Sequence, residues 1–169
     1  MAHRVLIPLD GSKVAEEAVT HVMALLPPET TEIHLLTVLP DLERLHHVVQ
    51  VPVVTRQLEE ASRSVRKQQE QYTRAYLDMI AWSLEDAGYS VQTHLAYGQP
   101  ATSIVHVAQA LDVDLVVMTS HGRGGNLLWR YGSVAGRVLE VCECPVLVVP
   151  VREQLRAAQE VPQESRMAA

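Results

Sequence analysis

The chain has 169 residues, of which 47% are hydrophobic and 20% are charged, a composition typical of one globular domain large enough to bury a core. Its formal charge of −6 argues against a general nucleic-acid binder, which normally presents a basic surface. No apolar run approaches the ~20 residues of a membrane span and no signal-peptide pattern opens the chain, so we expect a cytoplasmic protein without a membrane partner.

The first third of the chain reads as strand, helix, strand. Residues 4–9 form a short apolar run that predicts a buried strand. The turn at residues 10–12 places Ser12 as the N-cap of a helix that Pro27 ends. Residues 32–38 predict a second strand, and residues 41–54 predict a loop.

A long helical pattern runs from about residue 55 to residue 87, and Gly88 ends it. We expect its apolar stripe to pack on the sheet, with a coiled coil as the alternative explanation. The stripe consists of Leu58, Val65, Tyr72 and Met79, spaced seven apart, with Ala61, Ala75 and Trp82 beside them.

The remaining elements continue the alternation. Residues 90–96 predict a strand near a sheet edge, and a helix follows from Pro100. The strongest apolar run, residues 115–118, predicts a buried strand. After a final helix, residues 145–151 predict an edge strand because prolines stand at both of its ends.

The predicted fold is therefore α/β, a three-layer α/β/α sandwich around a five-stranded parallel open sheet of Rossmann-like type, with strand order 3-2-1-4-5. Open sheets of this type bind ligands at the carboxyl ends of the strands where the winding reverses. That point lies between strands one and four, so we expect the turn at residues 8–12 to face the turn at residues 119–122, with Val38 beside them.

The segment after strand four is rich in glycine. Gly122, Gly124 and Gly125 follow the apolar run, and Gly132-Ser133 precedes the last helix. Glycines let backbone N–H groups approach a ligand, and a helix N-terminus favours anions, so this loop predicts a phosphate site. It matches neither the P-loop nor the dinucleotide fingerprint.

With these motifs in view, residues 4–151 resemble the universal stress protein family. The segments that carry the resemblance are residues 5–12 (VLIPLDGS), the long second helix, residues 114–125 (DLVVMTSHGRGG), residues 132–135 (GSVA) and residues 144–149 (CPVLVV). It implies a universal stress protein domain over residues 1–151, followed by a polar tail over residues 152–169 that we expect to be partly disordered.

ATP-binding members of that family carry G-x2-G-x9-G-[ST]. Gly122 and Gly132-Ser133 match this motif, whereas Thr119 stands at its first glycine. The resemblance implies bound ATP, with Mg²⁺ or Mn²⁺ held mainly by the phosphates. The implied nucleotide-binding residues are Pro8, Leu9, Asp10, Val38, Met118, Thr119, His121, Gly122, Arg123, Gly132, Ser133, Val134 and Ala135.

Structural alternatives remain open for several of these residues. Asp10 can simply form an Asx-turn, Ser133 can simply cap the last helix, and Gly122 can simply serve a turn. His121 has no partner base or nucleophile at a recognisable spacing, so a positioning role is favoured and no catalytic residue is assigned. Cys142 and Cys144 are too few for structural zinc and are expected to be free thiols, not a redox pair.

Three functions follow from this sequence. The first is a stress-response or regulatory module that binds ATP and is not an enzyme. The second is a dimeric family member that does not bind ATP and acts through protein contacts. The third, ranked last, is a slow ATPase. A homodimer is expected through the apolar edge strand at residues 146–151, because an unpaired apolar edge invites association.

Overall fold

The computed structural model describes residues 2–41, 56–120 and 131–150, and of residues 56–61 it describes the backbone alone. Within them, five strands alternate with four α-helices and one short 3₁₀ turn, Pro28–Thr30. The predicted loop at residues 41–54 lies almost wholly outside these ranges, as do much of the glycine-rich segment and the tail. The elements are β1 His3–Pro8, α1 Lys13–Leu25, β2 Thr31–Leu39, α2 Arg56–Asp86, β3 Ser90–Tyr97, α3 Pro100–Ala110, β4 Leu115–Thr119, α4 Ser133–Val141 and β5 Val146–Val149.

The five strands form one parallel sheet in the order β3-β2-β1-β4-β5, which confirms the predicted topology. β1 pairs with β2 along its whole length and with β4 at Val5↔Leu115 and Leu6↔Val116. β3 and β5 are the two edges, as their sequences predicted. The carboxyl ends of β1 and β4 are therefore neighbours at the centre of the sheet.

Helices cover both faces of the sheet and define two apolar clusters. α1 and α2 pack on one face, against side chains such as Ile7, Leu35 and Val117. α3 and α4 pack on the other face, against Leu6 and Val116. Consecutive residues of one strand thus point into different clusters, as the alternation of a β-strand requires, and both faces of the sheet are buried.

Local signals account for most element boundaries. Ser12 is the N-cap of α1, and its side-chain oxygen accepts a hydrogen bond from the Ala15 N–H at 3.1 Å. α2 ends before Gly88, whose φ of +92° lies in the left-handed region that favours glycine. Pro100 occupies the first turn of α3, where its missing N–H costs no hydrogen bond. The predicted start of α1, end of α2 and start of α3 are thus confirmed.

The predicted orientation of α2 is wrong. Val65, Tyr72, Met79 and Trp82 belong to the expected core stripe, yet they are 59%, 70%, 56% and 69% exposed. A second apolar stripe on the opposite side of the helix packs on the sheet, with residues spaced at i, i+3, i+4 and i+7. It consists of Leu77, Ile80, Ala81 and Leu84, all buried.

Across the described ranges, no helix is both long enough and apolar enough to cross a membrane.

Candidate functional site

The turn after β1 is held in one conformation by its own side chains. Leu9 follows the strand, and its N–H donates to the Leu36 carbonyl at 2.7 Å. The Asp10 carboxylate then accepts hydrogen bonds from the Ser12 N–H at 3.0 Å and the Ser12 hydroxyl at 2.6 Å. Gly11 has a φ of +78°, which favours glycine. The Asx-turn is therefore confirmed, and it presents an exposed carboxylate at the carboxyl edge of the sheet.

A cavity of about 720 Å³ opens beside this turn, at the carboxyl ends of β1 and β2. Its size falls in the usual range of small-molecule sites. Asp10 and Val38, two residues that the sequence assigned to the nucleotide site, both line it. The hydroxyl of Thr37 is buried at this cavity and, among the described residues, has no hydrogen-bond partner.

The cavity also has a wall that the sequence analysis missed. α2 contributes Gln69, Thr73 and Tyr76 to the lining. These residues fall at i, i+4 and i+7 and so share one side of the helix. Polar and aromatic residues at that spacing, next to the apolar stripes, are the signal that would have identified this wall from the sequence.

The N-terminus of α4 lies where β4 ends. Gly132 is the N-cap, with φ −63° and ψ 163°, and no side chain makes a capping bond there. Ser133 is thus the first helical residue and not the cap, which removes that structural alternative. The Gly132 N–H donates to the Ser120 carbonyl at 2.7 Å and so ties the start of the helix to the end of β4.

The first turn of α4 offers backbone donors to this edge of the sheet. The N–H groups of Ser133, Val134 and Ala135 have no acceptor within their own helix, because the first residues of any α-helix lack one. The helix dipole adds positive potential at the same end. Ser133 is exposed, whereas Ala135 is buried. A ligand would therefore approach the first turn of α4 from the side of Ser133.

Met118 and Thr119 are the last two residues of β4, and both are buried. Met118 belongs to the cluster under α3 and α4. Because side chains alternate along a strand, Thr119 points to the other face, the one that α1 covers. Thr119 stands at the first glycine of the ATP-binding motif. Its Cβ is therefore directed away from the first turn of α4.

Three predicted site residues, His121, Gly122 and Arg123, lie outside the described residues. The structure brings the other predicted residues to one edge of the sheet, at the ends of β1, β2 and β4 and the start of α4. In the part of the chain that is described, no group of three or more His, Cys, Asp or Glu side chains is arranged to hold a metal ion.

The two cysteines lie away from this edge, between α4 and the start of β5. Both thiols are free and half-buried, and their Sγ atoms are 3.2 Å apart. Burial, with a smaller effect from the hydrogen bond to Cys142, raises the pKa of Cys144 to about 11. A thiol with so high a pKa is almost wholly protonated at neutral pH, and so it is a poor nucleophile.

A pair of histidines bridges β2 and β3. His34 Nδ1 and His94 Nε2 are 3.0 Å apart, and the Glu32 carboxylate lies 3.8 Å from His34 Nε2. Burial lowers the pKa of both imidazoles; for His34, Glu32 opposes this shift, while His94 and Arg4 add to it. The folded protein therefore favours the neutral form of the pair.

This pair predicts a loss of stability in mild acid. As pH falls below about 6.5, the ordinary histidine pKa, the unfolded chain binds protons that the folded chain refuses, so the free energy of unfolding falls. The loss of stability levels off below the lowered pKa values of the folded protein.

Urea unfolding at pH 7 and pH 5 measures this loss as the difference in the free energy of unfolding. The double substitution His34→Gln/His94→Gln is expected to shrink that difference. The matched control, His106→Gln at an exposed position, is expected to preserve it; equal pH dependence in all three proteins would contradict this assignment.

Comparison with known proteins adds independent information. The model of the "Universal stress protein family" matches residues 1–150. Universal stress protein MJ0577 of Methanocaldococcus jannaschii is 29% identical over 154 residues, covering 88% of this chain and 95% of that one. Its solved structure matches with a TM-score of 0.75, over 89% of this chain and 96% of that chain.

Two more distant solved structures share the fold and were solved with nucleotides. A universal stress protein family protein from Arabidopsis thaliana, with AMP bound, is 16% identical with a TM-score of 0.62, over 97% of this chain and 98% of that one. A universal stress protein in complex with cAMP is 17% identical with a TM-score of 0.59, over 89% and 98% of the two chains.

Proposed function

Because the chain belongs to the universal stress protein family, we propose that it binds ATP at the carboxyl ends of β1 and β4 and acts as a regulatory module in the stress response. The observation that carries this proposal is the placement of the Asp10 turn and the uncapped N-terminus of α4 at the same edge of the sheet. The Asp10 carboxylate offers a hydrogen-bond acceptor for the base and ribose end of a nucleotide. The first turn of α4 offers backbone N–H donors for its phosphates.

In this proposal the base and ribose lie on the side of β1 and β2, against Pro8, Leu9, Asp10 and Val38. The cavity beside Asp10 provides the space, and the unpaired Thr37 hydroxyl provides a hydrogen-bonding group that a ligand would satisfy. Two solved proteins of the same fold hold AMP and cAMP, which supports an adenine nucleotide as the ligand class.

The phosphates lie on the other side, at the first turn of α4. Ser133, Val134 and Ala135 would donate backbone N–H groups, and the Ser133 hydroxyl would add a further donor. Thr119 does not obstruct this turn, because its side chain is directed to the opposite face. Mg²⁺ or Mn²⁺ would be held mainly by the phosphates.

The proposal is a binding module and not an enzyme. The Asp10 carboxylate is engaged by Ser12 through two hydrogen bonds, so it is poorly placed to act as a general base. The second candidate function, a family member that acts through protein contacts without ATP, rests on Thr119, whose side chain is directed away from the first turn of α4 but which stands where ATP-binding members have their first motif glycine. We further propose a cytoplasmic location, as for a stress-response module.

The nucleotide content of the purified protein tests these functions. We expect adenine nucleotide to be released on denaturation and ATP to raise the melting temperature. At an ATP concentration about 100 times Kd, binding adds about 2.7 kcal/mol of stability, which corresponds to several degrees. Absence of both effects would favour the second function. Steady phosphate release that Asp10→Asn abolishes would instead favour an ATPase.

The edge strand β5 supports the proposed homodimer. The Val116 N–H donates to the Pro145 carbonyl and the Ser120 N–H to the Val149 carbonyl, so alternate residues of β5 face β4. The N–H and C=O groups of Val146 and Val148 consequently point away from the sheet and are placed to pair with a second copy.

Val148→Lys is expected to remove this edge contact, because a charge on a half-buried edge strand opposes pairing of the two apolar surfaces. Sedimentation should report a lower molecular mass than for the wild type. Val105→Lys is the matched control, since Val105 is also half-buried but lies on α3, which packs near β2 and β3. An unchanged mass for Val148→Lys, with circular dichroism of a folded protein, would place the dimer interface elsewhere.

A further inference from the structure

Cys142 and Cys144 lie outside the candidate site and have no part in the proposed function. Cys142 caps the end of α4 and Cys144 precedes β5, so both lie at the amino edge of the parallel sheet. The Asp10 turn and the start of α4 lie at the opposite, carboxyl edge. The chain contains two cysteines in its 169 residues, so a disulfide within one chain can join only these two.

A bend in the backbone brings the two thiols together. In an extended strand, Cα atoms two residues apart are separated by about 6.6 Å, which is close to the upper limit for a disulfide. Here the chain bends at Glu143 and Cys144, between the end of α4 and the start of β5. The Sγ atoms of Cys142 and Cys144 are 3.2 Å apart, so the two side chains converge.

Both ends of this bend are anchored to the body of the protein. The Cys142 N–H donates to the Val138 carbonyl at 2.9 Å, and the Pro145 carbonyl accepts from the Val116 N–H at 2.9 Å. Both cysteine side chains also pack against the apolar cluster under α3 and α4. The folded protein therefore holds the two sulfurs next to each other without moving either neighbouring element.

Closing a bond between these sulfurs needs little movement. An S–S bond is about 2.05 Å long, so each sulfur has to move by roughly 0.6 Å from the 3.2 Å separation, which a small side-chain rotation supplies. Both thiols are free and half-buried, so a small oxidant reaches them. We propose that Cys142 and Cys144 form a site of reversible oxidative modification, at which a hydroperoxide converts the two thiols to a disulfide.

The two sulfurs have different roles in this reaction. Burial, with smaller effects from the hydrogen bond to Cys142 and from the charge of Cys142, raises the pKa of Cys144 to about 11. The proton of the pair therefore stays on Cys144, and the first attack falls to Cys142. When Cys142 has become a neutral sulfenic acid, its charge no longer opposes ionisation of Cys144, which then acts as the resolving thiol.

The reaction balances in two steps with hydrogen peroxide. The Cys142 sulfur attacks one peroxide oxygen, the S–O bond forms as the O–O bond breaks, and the hydroxide released takes the Cys142 proton to give water. The Cys144 sulfur then attacks the Cys142 sulfur, the S–S bond forms as the S–O bond breaks, and the hydroxide leaves with the Cys144 proton as a second water. The two thiols lose two electrons and two protons, and the peroxide is reduced.

The expected disulfide is easily reduced. It closes a ring with one residue between the cysteines, so it removes little conformational entropy from the unfolded chain and adds little stability. It also remains partly accessible, and accessible disulfides are the labile ones. An excess of reduced glutathione should therefore restore both thiols by thiol–disulfide exchange.

Peptide mapping of the wild-type protein tests the proposal. The reduced, folded protein is treated with a small excess of hydrogen peroxide, the remaining thiols are alkylated, and the chain is digested with trypsin. Cleavage after Arg137 and Arg152 releases residues 138–152, which contain both cysteines and no methionine, so methionine oxidation does not change the mass of this peptide. We expect an unalkylated peptide lighter than the dithiol form by about 2 Da, and its return to the dithiol form with glutathione. A peptide that is still alkylated at both thiols, that gains only oxygen, or that occurs only in disulfide-linked dimers overturns the proposal.

Single substitutions test the two roles. Cys144→Ser should accumulate a sulfenic acid at Cys142, which dimedone labels, because the resolving thiol is absent. The matched variant Cys142→Ser keeps the Cys144 thiol in its half-buried position and should be labelled at least about 10-fold more slowly. Circular dichroism checks that both variants are folded. Equal labelling of the two would overturn the assignment of Cys142 as the attacking sulfur.

Discussion

Replacing Ser133 by proline is expected to weaken ATP binding about 10- to 100-fold without unfolding the protein. Proline removes the N–H of the first helical residue, and one hydrogen bond to a charged group contributes about 1.5–3 kcal/mol. The helix tolerates proline at this position, because that N–H has no acceptor within α4. Gly132 already has φ −63° and ψ 163°, the extended conformation that a residue before proline requires. Isothermal titration calorimetry with ATP measures the loss.

The matched control for this change is Ser133→Ala. It removes the hydroxyl but keeps the backbone N–H, so it separates the side-chain donor from the main-chain donor. We expect a smaller loss of affinity than for Ser133→Pro. Equal affinities for the wild type, Ser133→Ala and Ser133→Pro would mean that the first turn of α4 does not hold the phosphates, and the nucleotide would then have to bind elsewhere at this edge.

Replacing Leu77 by alanine is expected to lower the free energy of unfolding by about 2–5 kcal/mol. Leu77 is fully buried between α2 and the sheet, and truncation leaves a cavity in a close-packed cluster. Met79→Ala, two residues further along the same helix, should change it by only about 0.5 kcal/mol, because its side chain is largely exposed. Urea unfolding at a protein concentration low enough to keep the chain monomeric compares the two directly.

The opposite order of effects would contradict the orientation of α2. If Met79→Ala destabilised the monomer more than Leu77→Ala, the side of α2 that carries Val65, Tyr72 and Met79 would be the core face, as the heptad pattern alone predicts. The comparison therefore decides between the two apolar sides of one helix.

The candidate site was only partly predictable. The Asp10 turn and Val38 were assigned from their positions after β1 and in β2, because topology alone places strand ends together. The cavity wall formed by Gln69, Thr73 and Tyr76 was missed, because nothing in the local pattern says which part of a long helix lies over the strand ends. The capping residue of α4 was also open, since Gly132 and Ser133 are both acceptable N-caps, and the Gly132–Ser120 hydrogen bond accompanies the choice of Gly132.

The order of the elements, the parallel sheet and most boundaries were determined by the sequence itself. Apolar runs, N-caps and left-handed glycines act within a few residues, so they can be recognised without knowing the fold. Which side of α2 faces the sheet was decided only by the tertiary structure. The helix carries two stripes of suitable period, and periodicity cannot rank them. Packing does, because the aliphatic side chains of Leu77, Ile80 and Leu84 fill the space over the sheet, and the Tyr72 and Trp82 side is left to solvent.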